Sequence, residues 1–143
     1  MKTGKIYFCR ECGCLLDPIN KGCDSLSCCG QKMEELIPGS SDGAKEKHVP
    51  VVSYDRKSVT VTVGEAGHPM TSDHLIEWIY LKTDKGRYIR YLDTNEHPAF
   101  TFTLTDETPL EASAFCNKHG LWRTSFQEKT KSHSKLFEWL FAL

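Results

Sequence analysis

The sequence predicts a mainly β protein: a small cysteine-rich metal-binding unit, then an antiparallel β-sandwich, then a short C-terminal helix. Three observations predict this order. Six of the seven cysteines lie before residue 30. Along the middle of the chain, valine or phenylalanine alternates with threonine, which is typical of strands with one face on a core and the other in water. Near the end, apolar residues recur at helical spacing.

Length and charge limit the function classes. A chain of 143 residues favours one main domain with a small satellite. The formal net charge is -1, so no overall field attracts nucleic acid or an acidic membrane surface. No segment reaches the roughly 18 uninterrupted apolar residues that a membrane helix needs, and the N-terminus lacks the apolar core of a signal peptide. We therefore expect a cytoplasmic protein, in which clustered cysteines bind metal more often than they form disulfides.

Residues 1–37 are expected to form the cysteine-rich domain. So short a segment buries too little apolar surface to fold alone, so that bound metal has to supply part of its stability. Cys9 and Cys12 form a C-x-x-C pair, Cys28 and Cys29 are adjacent, and a glycine follows each pair. Four thiolates favour a tetrahedral iron or zinc ion. Two adjacent cysteines can bind one ion only with a twisted backbone, which predicts a distorted tetrahedron.

Other interpretations of this cluster stay open. A zinc ribbon explains the four sulfurs as well as iron does, and a disulfide knot is a third interpretation. Cys14 and Cys23 are left over, either as free thiols or, for Cys14, as a competitor for a ligand position.

Residues 38–143 are expected to form the second domain. Residues 38–43 have the composition of a linker. About seven short strands separated by turns follow, and this number favours an antiparallel sandwich. The predicted strands begin at Val49 and continue over residues 58–63, 75–82, 88–92, 100–104, 110–116 and 121–126. The strand over residues 75–82 is apolar on both faces, as in the centre of a sheet.

The tail, residues 127–143, is predicted to be helical. Its apolar residues recur at helical spacing, and a serine can cap the first turn. They are Leu136, Phe137, Trp139, Leu140 and Leu143. The apolar stretch is too short to cross a membrane, so we expect it to cover the core or a partner subunit.

Histidines lie at the edges of the predicted strands. His48 and His74 each directly precede a predicted strand, and His68 lies in the segment Gly67-His68-Pro69-Met70 between two strands. Cys116 and His119 share a tight Cys-x-x-His turn. Such a turn can place sulfur and nitrogen on one metal. A lone loop histidine is more often a surface residue, but loops at one end of a sandwich converge, which favours a shared site. Two other histidines are expected outside that site, one in a loop and one in the tail: His97 and His133.

Taken in order, these motifs resemble those of desulfoferrodoxin, the two-iron superoxide reductase family. The resemblance covers most of the chain, from about residue 7 to residue 122. It rests on Cys9-x-x-Cys12 with Cys28-Cys29, Glu46-Lys47-His48-Val49-Pro50, His68-Pro69-Met70, His74-x-Ile76-Glu77-Trp78 and Cys116-Asn117-x-His119-Gly120-Leu121-Trp122. The additional Cys14 and Cys23 depart from the family pattern, and the resemblance says nothing about the tail.

The resemblance implies a desulforedoxin-like domain followed by an immunoglobulin-like sandwich, each with one iron. The first iron would be bound by Cys9, Cys12, Cys28 and Cys29. The second would be bound by His48, His68, His74, His119 and Cys116, with an open sixth position. The implied reaction is the one-electron reduction of superoxide to hydrogen peroxide, after which an external donor such as a rubredoxin-like protein restores ferrous iron. A homodimer is expected from the family.

The implied open position gives a role to the charges before His48. Four neutral imidazoles and one thiolate would leave ferrous iron with one positive charge, which attracts the superoxide anion. Lys47, on a mobile loop, would attract the anion and organise water for protonation, and Glu46 would help to expel peroxide. The alternative for both residues is solvated linker charge. Two other functions stay open: a pure electron carrier, and a zinc-stabilised interaction module.

Overall fold

The computed structural model describes residues 4–20 and 25–126. The chain divides into two compact units, Met1–Ile37 and Pro38–Leu143. Within the described ranges, no helix is both long and apolar enough to span a membrane. The helix predicted for residues 127–143 lies outside the described residues, as does Cys23.

Five two-residue strands form the described part of the first unit. They are β1 (Tyr7–Phe8), β2 (Leu15–Leu16), β3 (Ser27–Cys28), β4 (Gln31–Lys32) and β5 (Glu34–Glu35). β1 lies between β2 and β5 and is antiparallel to both, and β3 pairs with β4. Sequence analysis predicted no strands here, because two residues are too few for an alternating pattern to show.

The apolar core of the first unit is small. Its buried cluster consists of Tyr7, Cys9 and Met33, with Leu16 and Leu26 packed against it. Such a core contributes little stability in a unit of this size. A metal bound by the cysteines is therefore the expected source of the remaining stability.

The second unit is an antiparallel sandwich of two sheets, and this confirms the predicted fold class. Its strands are β6 (Pro50–Tyr54), β7 (Ser58–Val63), β8 (Ile76–Thr83), β9 (Arg87–Tyr91), β10 (Ala99–Thr103), β11 (Pro109–Cys116) and β12 (Gly120–Ser125). One sheet has the order β10–β7–β6 and the other β12–β11–β8–β9. A single helical turn, α1 (Lys45–His48), precedes β6. The predicted boundaries differ from the observed ones by no more than one residue.

Alternating side chains fill the space between the two sheets. In β7, Val59, Val61 and Val63 are fully buried, and the residues between them are partly exposed. Each such aliphatic side chain contributes about 1.5–3 kcal/mol when buried. β8 lies inside the four-stranded sheet, and most residues on both of its faces are buried, as its apolar sequence predicted.

A bulge in the pairing of β8 with β11 positions Cys116. Phe115 pairs with Trp78, but the next residue, Cys116, pairs with Ile76. Glu77 is therefore the extra residue on β8. Bulges of this kind redirect side chains, often beside active sites. Cys116 lies fully buried at the end of the core.

Residues 38–43 are not the free linker that their composition suggested. The N–H of Gly39 donates to a carbonyl of β12 at 2.8 Å, and Ser41 Oγ donates to the carbonyl of His119 at 2.6 Å. The glycines allow a close approach here, because a Cβ on Gly43 would lie 2.9 Å from the Cβ of His119. This segment therefore packs against the turn that carries His119.

Candidate metal centres

Four cysteine sulfurs of the first unit converge on one point. The Sγ atoms of Cys9, Cys12, Cys28 and Cys29 all lie within 4.8 Å of one another. Cys28 Sγ is 3.6 Å from that of Cys12 and 3.9 Å from that of Cys29. Metal–sulfur bonds of about 2.3 Å place the sulfurs of a tetrahedral site about 3.8 Å apart. The four donors therefore fit a single ion.

Two turns bring these cysteines together. Cys29 and Gly30 form the turn between β3 and β4, with φ values of 51° and 73°. Left-handed backbone at both positions is typical of a type I′ hairpin, and it lets adjacent cysteines face the same ion. In the first pair, the N–H of Gly13 donates to the carbonyl of Cys9 at 2.9 Å, which closes the C-x-x-C turn.

Hydrogen bonds among the thiols separate their pKa values. A bond from the backbone N–H of Cys12 lowers the pKa of Cys9 to about 7. The side chain of Cys12 raises the pKa of Cys28 to about 12 and also raises that of Cys29. Without metal, the thiol of Cys9 therefore loses its proton more readily than the thiols of Cys28 and Cys29 do. Metal binding requires all four sulfurs as thiolates and releases the remaining protons.

Cys14 does not join this cluster. Its thiol is exposed and donates to the carbonyl of Leu15 at 3.8 Å. Because Cys12 is an equally exposed cysteine of the same turn, the two form a matched pair. We expect Cys14→Ser to leave metal content and absorption of the site unchanged, and Cys12→Ser to lower metal affinity by more than the roughly 10–100-fold lost with an outer-shell partner. Equal losses in metal analysis of both variants would contradict the ligand set.

Four imidazoles of the second unit form a closed ring. In the order His48, His68, His74 and His119, neighbouring ring centroids lie 4.6–5.1 Å apart, and neighbouring planes cross at 68–81°. The opposite pair, His48 and His74, is separated by 6.1 Å. Four ligands around the equator of one ion would have this arrangement.

The sulfur of Cys116 is the fifth donor of this group. It lies within 4.8 Å of ligand nitrogens of His48, His68 and His74 and 3.8 Å from Nδ1 of His119. Nδ1 of His119 is also 3.0 Å from Nε2 of His48. The structure thus brings together all five residues that sequence analysis selected. His97, in contrast, is exposed in the loop before β10, and His133 lies outside the described residues.

The tautomers of two histidines indicate a cation site. Nδ1–H of His48 donates to the carbonyl of Ala44 at 2.7 Å, and Nδ1–H of His68 donates to that of Pro69 at 2.6 Å. Because a carbonyl only accepts, the proton is on Nδ1 and each Nε2 carries a lone pair. The two Nε2 atoms nevertheless lie 3.2 Å apart, and Nε2 of His74 is buried without a partner. Lone pairs that face one another in this way repel unless a positive ion lies between them. Imidazoles with one thiolate suit iron or zinc.

Burial favours the neutral form of three imidazoles of the ring. Desolvation lowers the pKa of His68 to about 4 and also lowers the pKa values of His48 and His74. Neutral imidazole is the form that binds metal, so these side chains are ready to act as ligands at neutral pH. Desolvation raises the pKa of Cys116, while two backbone N–H groups of the following turn lower it. This thiol therefore loses its proton when a cation binds.

Trp122 contacts two of the histidines. Its indole stacks on the His48 ring, with centroids 5.0 Å apart and planes at 26°. Its Nε1–H donates to the carbonyl of His119 at 3.1 Å. The packing of Trp122 therefore acts directly on the site. Trp78 instead stacks on Phe115, with centroids 5.5 Å apart.

Glu46 and Lys47 are exposed on α1, immediately before His48. The segment expected to be a mobile loop is thus a helical turn, and the carbonyl of Glu46 accepts a bond of 2.8 Å from the N–H of Ala66. Desolvation is the largest influence on the pKa of His48 and lowers it. The positive charge of Lys47 also lowers this pKa, and the negative charge of Glu46 raises it. Both charges therefore act on the proposed metal site.

Sequence reasoning missed the residues that hold the ligands in place. These are Ser41, Gly64 and Asn117, which contact backbone groups of the ligand-bearing segments. Spacing in the sequence does not reveal which backbone a distant residue approaches, so no pattern pointed to Ser41 or Gly64. Asn117 belongs to the motif that begins at Cys116, but the sequence does not show that its side chain binds the backbone of Asp73 and Leu75.

Comparisons with known proteins decide the family. The family model described as Desulfoferrodoxin matches residues 40–125, which is more than half of the chain. This chain belongs to the desulfoferrodoxin family. For a desulfoferrodoxin, a four-cysteine site and a site of four histidines and one cysteine are consistent with two iron centres.

Similar desulfoferrodoxins align over most of their length. The desulfoferrodoxin of Nitratidesulfovibrio vulgaris is 40% identical over 119 residues, which span 83% of this chain and 94% of that protein. A desulfoferrodoxin homologue of Archaeoglobus fulgidus is 37% identical over 84% of this chain and 95% of its own. The crystal structure of the superoxide reductase from Treponema pallidum superposes with a TM-score of 0.71 at 36% identity, covering 85% of this chain and 98% of that one.

Proposed function

We propose that this desulfoferrodoxin is a superoxide reductase that converts superoxide to hydrogen peroxide with one electron and two protons. The site is the second centre, with His48, His68, His74, His119 and Cys116 as ligands. The observation that carries the proposal is the ring of imidazoles with inward lone pairs and a buried thiol beside it. Five protein donors leave one position of an octahedral ion for the substrate. The similar Treponema pallidum protein is a superoxide reductase.

Charge explains why this ligand set suits an anionic substrate. Iron supplies the electron that superoxide accepts. Burial keeps His48, His68 and His74 uncharged, so only the Cys116 thiolate offsets the two positive charges of the ferrous ion. One positive charge remains, and its field is strong because the surroundings are desolvated. The anion is therefore attracted to the remaining position.

The protein also adjusts the thiolate. The backbone N–H groups of Lys118 and His119 donate to the sulfur of Cys116 and lower its pKa. Such bonds withdraw electron density from the sulfur and moderate its donation to the metal. The bulge opposite Cys116 keeps the side chain aimed at the imidazole ring. We propose that these two features would hold the sulfur as a ligand of iron bound at this site.

Lys47 and Glu46 are proposed to act on the substrate and product side. The ammonium group at Lys47 Nζ attracts superoxide and holds water that donates protons to the reduced oxygen. The carboxylate of Glu46 then favours departure of the peroxide. Both residues are exposed on the turn that ends at His48. The backbone of this turn is braced, which supports a fixed place for the two charges.

Removing the Lys47 charge should slow the reaction without changing either metal site. We expect Lys47→Ala to lower the second-order rate with superoxide by roughly 10-fold and to weaken its dependence on ionic strength, with both absorption spectra intact. Stopped-flow or pulse-radiolysis kinetics measure this rate. Lys45→Ala is the matched control, because Lys45 is an exposed lysine of the same turn. Equal rates for the two variants would remove Lys47 from the mechanism.

The partners are proposed from the family, whereas the role of the first unit also rests on its four converging sulfurs. We propose that residues 1–37 form a desulforedoxin-like domain that binds iron through its four cysteines. A rubredoxin-like protein is the proposed electron donor, the active form is a homodimer, and the compartment is the reducing cytoplasm. Anaerobic reduction of the ferric protein by rubredoxin tests the donor, and sedimentation analysis tests the dimer.

Metal analysis combined with optical spectra separates this function from the two alternatives. The superoxide reductase requires iron at both sites and a band from the thiolate of the second. Iron at the cysteines alone, with empty histidines, would indicate an electron carrier. Zinc at the cysteines and no metal at the histidines would indicate an interaction module. The lone-pair cluster favours the enzyme, because neither alternative needs four converging imidazoles.

A further inference from the structure

We infer, on the basis of the function proposed above, that Asn117 is a positioning residue whose side chain joins the loop of His74 to the turn of Cys116. His74 and Cys116, two proposed ligands of the second centre, are then held at a fixed separation. The reason is that the side chain of Asn117, next to Cys116, binds the backbone on both sides of His74. Asn117 directly follows Cys116 in the chain, and its contacts reach the residues on either side of His74.

Three hydrogen bonds form this clamp. The N–H of Asn117 donates to the carbonyl of Leu75 at 3.2 Å. The N–H of Leu75 donates in return to Oδ1 of Asn117 at 3.0 Å. Nδ2 of Asn117 donates to the carbonyl of Asp73 at 3.3 Å. The side chain thus binds backbone groups immediately before and immediately after His74.

The clamp lies where regular pairing is disturbed. The ladder between β8 and β11 shifts register at the bulge and ends with the pair Cys116 and Ile76. Asn117 and Leu75 add one more pair beyond that end, in which a side-chain oxygen takes the place of a backbone carbonyl. Because a bulge weakens the ladder locally, this added pair helps to fix the register between the two ligand segments.

Turn conformation does not account for the asparagine. Asparagine is often used where the backbone is left-handed, but Asn117 is not among the described residues with positive φ. In this turn that conformation belongs to Gly120, with φ of 76°. The side-chain hydrogen bonds are therefore what distinguishes asparagine from other residues at this position.

Backbone contacts hold the segment of His74 on both sides. Nε2 of His74 is buried without a hydrogen-bond partner in the part of the chain that the structure describes, so no side-chain hydrogen bond at this nitrogen positions the ring. The backbone of His74 forms a bridge with Thr71 on one side, with bonds of 3.0 and 3.1 Å. Asn117 supplies the contacts on the other side.

Asn117→Ala tests the clamp through metal binding rather than turnover. We expect iron affinity of the second site, measured by chelator competition, to fall by roughly 10–100-fold, as for outer-shell partners of metal ligands. The absorption band of the Cys116 thiolate should shift, and the four-cysteine spectrum should stay unchanged. Lys57→Ala is the control, because Lys57 is an exposed residue of the same unit in the turn between β6 and β7, outside the ligand-bearing segments. Its iron affinity should stay within about 2-fold of wild type.

Tryptophan fluorescence shows whether Asn117→Ala folds. If it does not, Asn117→Asp is the second variant. The aspartate keeps an acceptor for the N–H of Leu75 and loses the donor to Asp73, so an intermediate loss of affinity is expected. Wild-type affinity and an unshifted band in the folded variants would overturn the clamp. The assay uses no superoxide. A wild-type protein that binds iron but does not react with superoxide would refute the proposed function and leave the clamp standing.

Discussion

Cys116→Ser is expected to abolish superoxide reduction and to remove the thiolate-to-iron absorption band. Cys116 is the sulfur donor of the second centre and is fully buried. Serine is isosteric, but its hydroxyl does not ionise readily and donates far less electron density to a metal than a thiolate does. We expect the rate with superoxide to fall by at least about 100-fold, beyond the roughly 10–100-fold range for outer-shell changes. Stopped-flow kinetics and absorption spectra of the iron-loaded variant measure both effects.

The control for this variant is Cys14→Ser, which changes a cysteine outside both donor clusters. It should keep the rate and both spectra. The four-cysteine spectrum should survive in Cys116→Ser, which shows that the first unit is intact, and tryptophan fluorescence shows whether the second unit is folded. A Cys116→Ser variant that retains the wild-type rate would mean that the reacting iron is not bound by this sulfur.

Gly64→Ala is expected to destabilise the second unit and to weaken its metal site together. Gly64 has a φ of 78°, and a Cβ there would overlap the backbone carbonyl of Lys47. Backbone cannot move aside as a flexible side chain can, so α1 would have to shift, and α1 carries His48. We expect the free energy of unfolding to fall by about 3 kcal/mol, from left-handed strain together with the steric clash. Urea denaturation and chelator competition for iron measure the two losses.

Gly67→Ala is the matched control for this clash. Gly67 lies in the same loop with a φ of 84°, but a Cβ there meets nothing within 4 Å. Only the left-handed strain remains, which amounts to about 1–2 kcal/mol, and iron affinity should change little. Equal losses of iron affinity in the two variants would show that the approach of Gly64 to Lys47 does not position His48.

The sandwich was predictable because its strands alternate. Residues 58–63 place a valine at every second position, and the structure buries each of these valines. The two-residue strands of the first unit were not predictable, since a pair of residues carries no period. Residues 38–43 misled the sequence analysis for a different reason: their glycines permit close packing against His119 rather than flexibility.

The candidate ligands of both centres follow from the sequence, whereas the residues that hold them in place do not. Cys116 and His119 are three apart, so their common turn follows from spacing alone. His48 and His68 have carbonyl partners at Nδ1, and these depend on local backbone geometry that sequence does not display. The ligands must be particular side chains, whereas many backbone arrangements can hold them. Sequence therefore reveals the chemistry of the site more readily than its geometry.

Anaerobic mixing of the fully reduced protein with superoxide is the most direct test of the central claim. We expect superoxide to oxidise the iron of the second centre at a rate proportional to superoxide concentration. Hydrogen peroxide should form in proportion to the iron oxidised, without release of oxygen. Oxygen release in step with superoxide loss would indicate a dismutase. If superoxide does not oxidise the reduced, iron-loaded protein, the proposed superoxide reductase function is wrong.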